Sequence, residues 1–290
     1  MSLPLVVLLC GVAAAVIAFS LSASRRIQMD PIDPTAEQRA VRRSLWRHPR
    51  VERFLRERMD RRTAGGFLLT VSLVILLVVA IFTGVVLDMI DNDSGLAVAD
   101  RSVAEWGSRN ADSATAHAMK WVTQLGSTMV VFLALIITAT VDYLRRRSRE
   151  VFVFVTAVGL GELLLNNLLK LIVHRERPAV LRLVAVHGYS FPSGHTVAAA
   201  SCWAAIALVL GRDRSRTVRA LLAGAAALIA TSVAASRALL GVHWLTDVIA
   251  GLIMGWGWFT IVAITFGGRA QRLGDPVSEN PQGEAISADA

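Results

Sequence analysis

Charge is scarce in this chain. Only 18% of its 290 residues are Asp, Glu, Lys or Arg, against roughly a quarter in soluble domains. Lysine is nearly missing, with Lys120 and Lys170 the only lysines among 30 basic residues. Cysteine is limited to Cys10 and Cys202, both inside apolar runs, which excludes a disulfide framework. No internal repeat, Walker loop, zinc-ligand cluster or cysteine-phosphatase pattern is present. What the chain has in excess is apolar surface: 54% of residues are hydrophobic and the mean hydropathy is +0.53. The apolar runs reach about 20 residues, long enough to cross a hydrocarbon core of roughly 30 Å as helices. They exclude a soluble enzyme, a nucleic-acid-binding domain and a disordered tail protein. The short alternating strands of a membrane β-barrel are absent as well. The chain reads as an all-α, polytopic membrane helical bundle.

Seven apolar segments are predicted, at 3–23, 67–87, 121–141, 151–169, 194–211, 217–235 and 246–266. The division that follows is an N-terminal transmembrane anchor (1–23), an Arg-rich loop (24–66), a membrane domain (67–266) and a disordered tail (267–290). A cleaved signal peptide is the other reading of 1–23, but it lacks a basic n-region and Arg25 and Arg26 follow it directly. The net charge of +8 is unevenly spread. Loop 24–66 holds twelve Arg against six acids, and Arg145, Arg146, Arg147 and Arg149, then Arg212, Arg214, Arg216 and Arg219, mark two further connections. Connection 88–118 is acidic instead, with Asp88, Asp91, Asp93, Asp100, Glu105 and Asp112. Basic residues on alternate connections predict an outside N-terminus, an inside C-terminus and outward-facing connections at 88–120, 170–193 and 236–245. Within loop 24–66, Val51, Phe54, Leu55 and Met59 recur at helical spacing, which suits a surface amphipathic helix or an ordinary topogenic loop.

The outward connections carry the chemistry. Residues 170–178 read Lys-Leu-Ile-Val-His-Arg-Glu-Arg-Pro, residues 192–195 read Pro-Ser-Gly-His, and Ser236-Arg237 precede His243 and Asp247. Lys170, Arg177 and Arg237 would bring three cations to one place, and arginine forks match phosphoryl oxygens two at a time. Pro192 suits a first helical turn, after which the N–H groups of Ser193, Gly194 and His195 would be free to face an anion. His243 and Asp247 are four apart, so a carboxylate can fix the imidazole tautomer and leave the second ring nitrogen as a nucleophile. His195 is then available to protonate a leaving oxygen.

These clusters resemble the signature of the phosphatidic acid phosphatase type 2 (PAP2) family: Lys-x6-Arg-Pro, Pro-Ser-Gly-His, and Ser-Arg-x5-His-x3-Asp. All eleven fixed positions are present at the family's spacing, as Lys170, Arg177, Pro178, Pro192 to His195, Ser236, Arg237, His243 and Asp247. The resemblance covers roughly 67–266, the family's six-helix core, and extends to bacterial undecaprenyl-diphosphate phosphatases. It implies a metal-independent membrane phosphatase with no cofactor. His243 would form a phosphohistidine supported by Asp247, and His195 would protonate the leaving group. Lys170, Arg177, Ser193, Gly194 and Arg237 would hold the phosphoryl oxygens. The implied partners are membrane lipids and a lipid phosphate substrate at the outer leaflet, not nucleic acid. Polyprenyl diphosphate leads, then phosphatidic acid or phosphatidylglycerophosphate. A phosphotransferase with a lipid or sugar acceptor and a non-catalytic lipid-binding or transport protein are the alternatives; intact histidines argue against the second.

Other features have plainer readings. Asp91–Gly95 lacks the later acids of a calcium loop and reads as a turn. Glu162, Asn166 and Lys170 form a polar stripe on one helix, so Glu162 either lies beneath the site or makes an interhelix hydrogen bond. Arg175 either touches phosphate or is solvated. His48, His117 and His187 read as surface histidines, Trp121 and Trp244 as interfacial residues, and Gly251, Gly255 and Gly257 as sites of close helix packing. The acidic connection is a candidate lid segment.

Overall fold

The computed structural model describes residues 11–17, 19–20, 64–110, 112–180 and 188–269. The expected amphipathic helix at 51–59, His48, His187, Cys10 and the tail beyond 269 lie outside them. All regular structure among the described residues is helical: α1 (Ala64–Asp91), α2 (Val98–Asn110), α3 (Ser113–Gln124), α4 (Thr128–Arg146), α5 (Glu150–Val173), α6 (Gly194–Leu210), α7 (Arg216–Leu239) and α8 (Leu245–Arg269).

Five of these are long and apolar enough to cross a membrane, namely Val71–Asp91 within α1, then α4, α5, α7, and Leu245–Phe266 within α8. The sixth member of the core is α6, whose 17 residues span only about 25 Å. It has no amphipathic face and is buried along most of its length, because α4, α5, α7 and α8 surround it. A helix apolar on every side belongs in such a centre. The close packing expected of the α8 glycines is present. A Cβ at Gly255 would lie 2.6 Å from both the Ala200 Cβ and the Val197 carbonyl of α6, and one at Gly257 would lie 2.6 Å from Val79 of α1. The first predicted segment is helical over 11–17 and 19–20, and it lies against α7, where a Cβ on Gly224 would stand 3.1 Å from the Ala15 carbonyl oxygen.

Two boundaries differ from the sequence expectation. The segment predicted at 121–141 begins at Thr128 instead, because Ser127 caps α4 by accepting the Val130 N–H, and the chain turns at Leu125–Ser127. Trp121 therefore belongs to α3, where it is exposed and donates to His117 Nε2 at 2.9 Å. Hydropathy averages across such a break; capping does not. The acidic connection 88–118 is likewise no loose loop. A turn at Asp91–Gly95 leads into α2, Asp112 caps α3 through the Thr115 N–H at 2.7 Å, and both helices pack on α7.

Candidate active site

The C-terminal ends of α5 and α7 and the N-terminal ends of α6 and α8 meet at one end of the bundle. Their termini deliver the three motifs. At the end of α5, His174 adopts a left-handed conformation (φ 52°) that stops the helix and turns the chain toward Arg175 and Arg177. The segment is then fastened to residues 188–190: Ser190 N–H donates to the Arg175 carbonyl at 2.8 Å and Ser190 Oγ to the Glu176 carbonyl at 2.9 Å. Backbone carbonyls also aim the cations. Lys170 Nζ donates to the Tyr189 carbonyl at 2.9 Å, while Arg177 donates to Gly188, Tyr189 and Val242 carbonyls at 2.8, 3.1 and 2.7 Å.

His243 is 2% exposed and sits between an acid and a base. Its Nδ1 lies 3.4 Å from Asp247 Oδ2, and its Nε2 lies 3.1 Å from Arg177 Nη1. A guanidinium can only donate, so Nε2 is the acceptor nitrogen and the ring proton resides on Nδ1, facing the carboxylate. Burial pulls the imidazole down to about 4, with Asp247 opposing and Arg237 and Arg177 reinforcing. The ring is therefore neutral near pH 7.

The His243–Asp247 contact forms differently from the sequence expectation of two neighbours on one helical face. His243 precedes α8, and Asp247 occupies the third position of the helix. From there its Oδ2 reaches back to accept the Trp244 N–H at 3.0 Å. That is one half of a capping box. It holds the carboxylate where the imidazole meets it.

Pro192 lies outside the helix, two positions before its first residue, because α6 starts at Gly194 with Ser193 as its N-cap. The Ser193 N–H is not free: it donates to the Asp247 carbonyl at 3.2 Å, and Ser193 Oγ accepts from Thr196 Oγ1 at 2.9 Å. Ser193 thus joins α6 to α8. Gly194 and His195, at the first two helical positions, retain N–H groups without an intrahelical acceptor. His195 is half-buried and within electrostatic range of Arg237, His243, Arg177 and Lys170, which gathers both imidazoles and all three cations into one cluster. Arg237 is 3% exposed; its Nη1 lies 3.4 Å from Thr123 Oγ1 and its Nε has no hydrogen-bond partner. Ser236 turns away, its hydroxyl bonded to the Val233 carbonyl of its own helix.

Of the neighbours, Asp100, Thr246 and Gly126 carried no site signal in the sequence, whereas Arg175, Trp244, Asn166 and Glu162 were noted in it and are placed by the fold. Arg175 is not solvated: one fork nitrogen donates to Asp247 Oδ1 at 2.6 Å and Thr246 Oγ1 at 2.8 Å, the other to Asp100 Oδ2 at 2.7 Å. Asp100, from α2, is buried and also accepts the Thr246 N–H at 2.9 Å and hydroxyl at 2.7 Å. The His243 partner is thus held by an Asp247–Arg175–Asp100 chain of alternating charge. Trp244 does more than pack at an interface. Its indole donates to the Glu176 carbonyl at 2.8 Å, and Arg175 lies 5.4 Å from its ring centre. Gly126 backs His195, since a Cβ there would stand 2.5 Å from the His195 carbonyl oxygen. Asn166 abuts Gly194 at 3.0 Å from that glycine's Cβ position. Glu162 is 2% exposed and makes no interhelix hydrogen bond among the described residues, nor do those residues hold a metal-ligating group of three or more.

Known proteins resemble this chain. Phosphatidylglycerophosphatase B of Bacillus subtilis is 31% identical over 142 residues, which are 47% of this chain and 68% of that protein. The lipid A 1-phosphatase of Rhizobium etli is 34% identical over 123 residues, covering 38% of this chain and 47% of that protein. The crystal structure of a transmembrane PAP2-type phosphatidylglycerolphosphate phosphatase from Bacillus subtilis superposes with a TM-score of 0.58 at 27% identity, over 64% of this chain and 92% of that one. The PAP2 superfamily profile matches residues 150–270, the stretch that carries all three motifs. With the helical core, the motif geometry and these relatives in agreement, the chain belongs to the PAP2 superfamily and is a membrane phosphatase of that type.

Proposed function

We propose that this protein removes phosphate from a lipid phosphate by way of a phosphohistidine on His243. The observation that carries the reading is the state of that imidazole: buried, neutral, protonated toward Asp247, with Nε2 turned to Arg177. In the first step Nε2 attacks phosphorus, an N–P bond forms, and the lipid P–O bond breaks with its electron pair leaving on oxygen. His195, which takes up a proton as the anionic phosphate enters among the cations, supplies it to that oxygen. In the second step water attacks phosphorus, a P–O bond forms as the N–P bond breaks with its electron pair returning to Nε2, His195 takes a proton from the water, and inorganic phosphate leaves. Arg177 Nη1 moves from Nε2 to a phosphoryl oxygen as substrate enters. Lys170, Arg237 and the N–H groups of Gly194 and His195 share the charge on the trigonal-bipyramidal phosphoryl. Arg175, spent on two carboxylates, is not among these ligands.

The names of the relatives move phosphatidylglycerophosphate ahead of polyprenyl diphosphate as the proposed substrate. The short central α6 would leave the histidines at or just below the hydrocarbon edge, the depth of a lipid headgroup. The distribution of arginine supports placing that edge at the outer face and the C-terminus at the inner one. Reporter fusions after residues 100 and 214 should read outside and inside respectively; the reverse result overturns the orientation. The activity test is phosphate release from detergent-solubilised protein offered phosphatidylglycerophosphate, phosphatidic acid and a polyprenyl diphosphate. His243→Ala and His195→Ala should each abolish release at normal expression, and wild-type turnover in either would sink the assigned roles.

A further inference from the structure

A second site lies at the end of the bundle opposite the histidines. The last turns of α4 and α6 and the connection into α7 line a half-open cavity of about 390 Å³. Val141, Val209 and Leu210 form its apolar wall, and Arg145, Arg146, Arg212 and Arg214 supply cationic groups. Beneath them Asp142, 5% exposed, accepts Arg146 Nε on one oxygen at 2.8 Å and Arg212 Nη1 on the other at 2.9 Å. Arg146 also donates to the Arg212 carbonyl at 3.2 Å and pairs with Asp213. The two inner arginines are therefore fixed in place. Arg145 and Arg214 are exposed and make no ion pair among the described residues. Four arginines face two aspartates, so the cavity keeps two positive charges in excess.

Topology alone asks only for basic residues in a connection, anywhere within it. It does not ask for a carboxylate sealed under two guanidiniums beside an apolar wall. A cavity with cations on one side and hydrocarbon on the other matches a phosphate ester that carries acyl chains. Leu210 lines the cavity and is itself 41% exposed, and Leu144 nearby is 59% exposed, so the apolar wall runs into the lipid-facing surface. We propose that this cavity binds the headgroup of an anionic phospholipid in the leaflet opposite the catalytic end, as a resident lipid distinct from the substrate. The proposal is independent of the reading of the catalytic site. A free phosphate ester would meet the same arginines, and the lipid is preferred because the wall is continuous with the hydrocarbon.

The test is native mass spectrometry of the full chain in neutral detergent, titrated with dioleoyl phosphatidylglycerol, dioleoyl phosphatidylcholine, or glycerol phosphate without chains. Phosphatidylglycerol should bind in preference to phosphatidylcholine. Arg145→Ala/Arg214→Ala should weaken it by about thirtyfold, each arginine contributing about fivefold, with phosphate release unchanged. His243→Ala should bind it as the wild type does. Equal binding of both lipids, full binding by the double variant, or loss of binding in His243→Ala would each overturn the proposal. So would glycerol phosphate binding as tightly as the lipid, which would indicate a soluble anion. Both replaced arginines are exposed, and a thermal-shift measurement closes the remaining gap: phosphatidylglycerol should raise the melting temperature of wild type and His243→Ala, and leave a folded Arg145→Gln/Arg214→Gln variant unmoved.

Discussion

Gly126 offers a test of how tightly His195 is positioned. Adding one methyl group by Gly126→Ala places a Cβ 2.5 Å from the His195 carbonyl oxygen and 2.7 Å from Val233 Cγ1, whereas ordinary contact begins at 3.4 Å. The valine methyl can rotate away, but the carbonyl belongs to the first turn of α6 and cannot. Either that turn or the α3–α4 connection must move by roughly 0.9 Å, the difference between 2.5 and 3.4 Å. A misplacement of about 1 Å in a catalytic group costs on the order of 100-fold in rate, about 2.7 kcal/mol of activation energy. Overpacking adds about 1–3 kcal/mol of destabilisation. Phosphate release should therefore fall by one to two orders of magnitude, chiefly in kcat, in a variant that purifies and melts cooperatively a few degrees below wild type. Adding Val233→Ala should restore little, because the clash that matters is with backbone. Wild-type kcat in Gly126→Ala, or full rescue by the second substitution, would refute a fixed His195.

Asp100→Ala removes one end of the Asp247–Arg175–Asp100 chain and should cost about 3–5 kcal/mol, as breaking a buried pair does; Asp100→Asn, which keeps the shape and some of the hydrogen bonds, should cost less. Thermal melts of both in detergent check this, and a stable Ala variant would contradict it. Gly255→Ala should destabilise by about 1–3 kcal/mol through its 2.6 Å approach to α6, with KM unchanged; an unaltered melting temperature would show that α6 and α8 can separate freely. The pH dependence has a fixed sign. The folded His243 lies near 4 and the unfolded one near 6.5, so between these values the unfolded chain binds the extra proton. Stability is lost as pH falls through that window, and the acidic limb of kcat/KM assigned to the nucleophile should lie below 6.5. An acidic limb of kcat/KM at or above 6.5 would refute a buried, neutral His243 as the nucleophile.

The sequence displayed the proposed reactive groups and hid their supports. Lys170, Arg177, His195, Arg237, His243 and Asp247 were legible because their spacing is fixed by helix ends that must deliver them to one place. Asp100 was not, since nothing local separates it from Asp88, Asp91 or Asp93; only the fold of α2 over α8 selects it. Arg175 was visible but ambiguous, because its two acids come from 72 and 75 residues away. Gly126 lay inside the predicted segment 121–141 with no signal of its own, and its role arises from α6 passing behind it. The helical bundle was readable from hydropathy, while the true start of α4 depended on a serine cap that hydropathy does not weigh.

The even hydrophobicity of α6 carries a consequence of its own. A helix with a greasy side is rotated into place by that side, but this one would be equally content at any angle about its axis. Its azimuth must be set by shape: glycines on adjacent helices act as notches, and the amide of Asn166 and the Trp203 indole, bonded to the Leu125 carbonyl at 2.8 Å, act as pegs. The direction in which His195 points is thus encoded mostly outside its own helix. Swapping one aliphatic residue for another along α6 should disturb it less than a single methyl group placed on a neighbour.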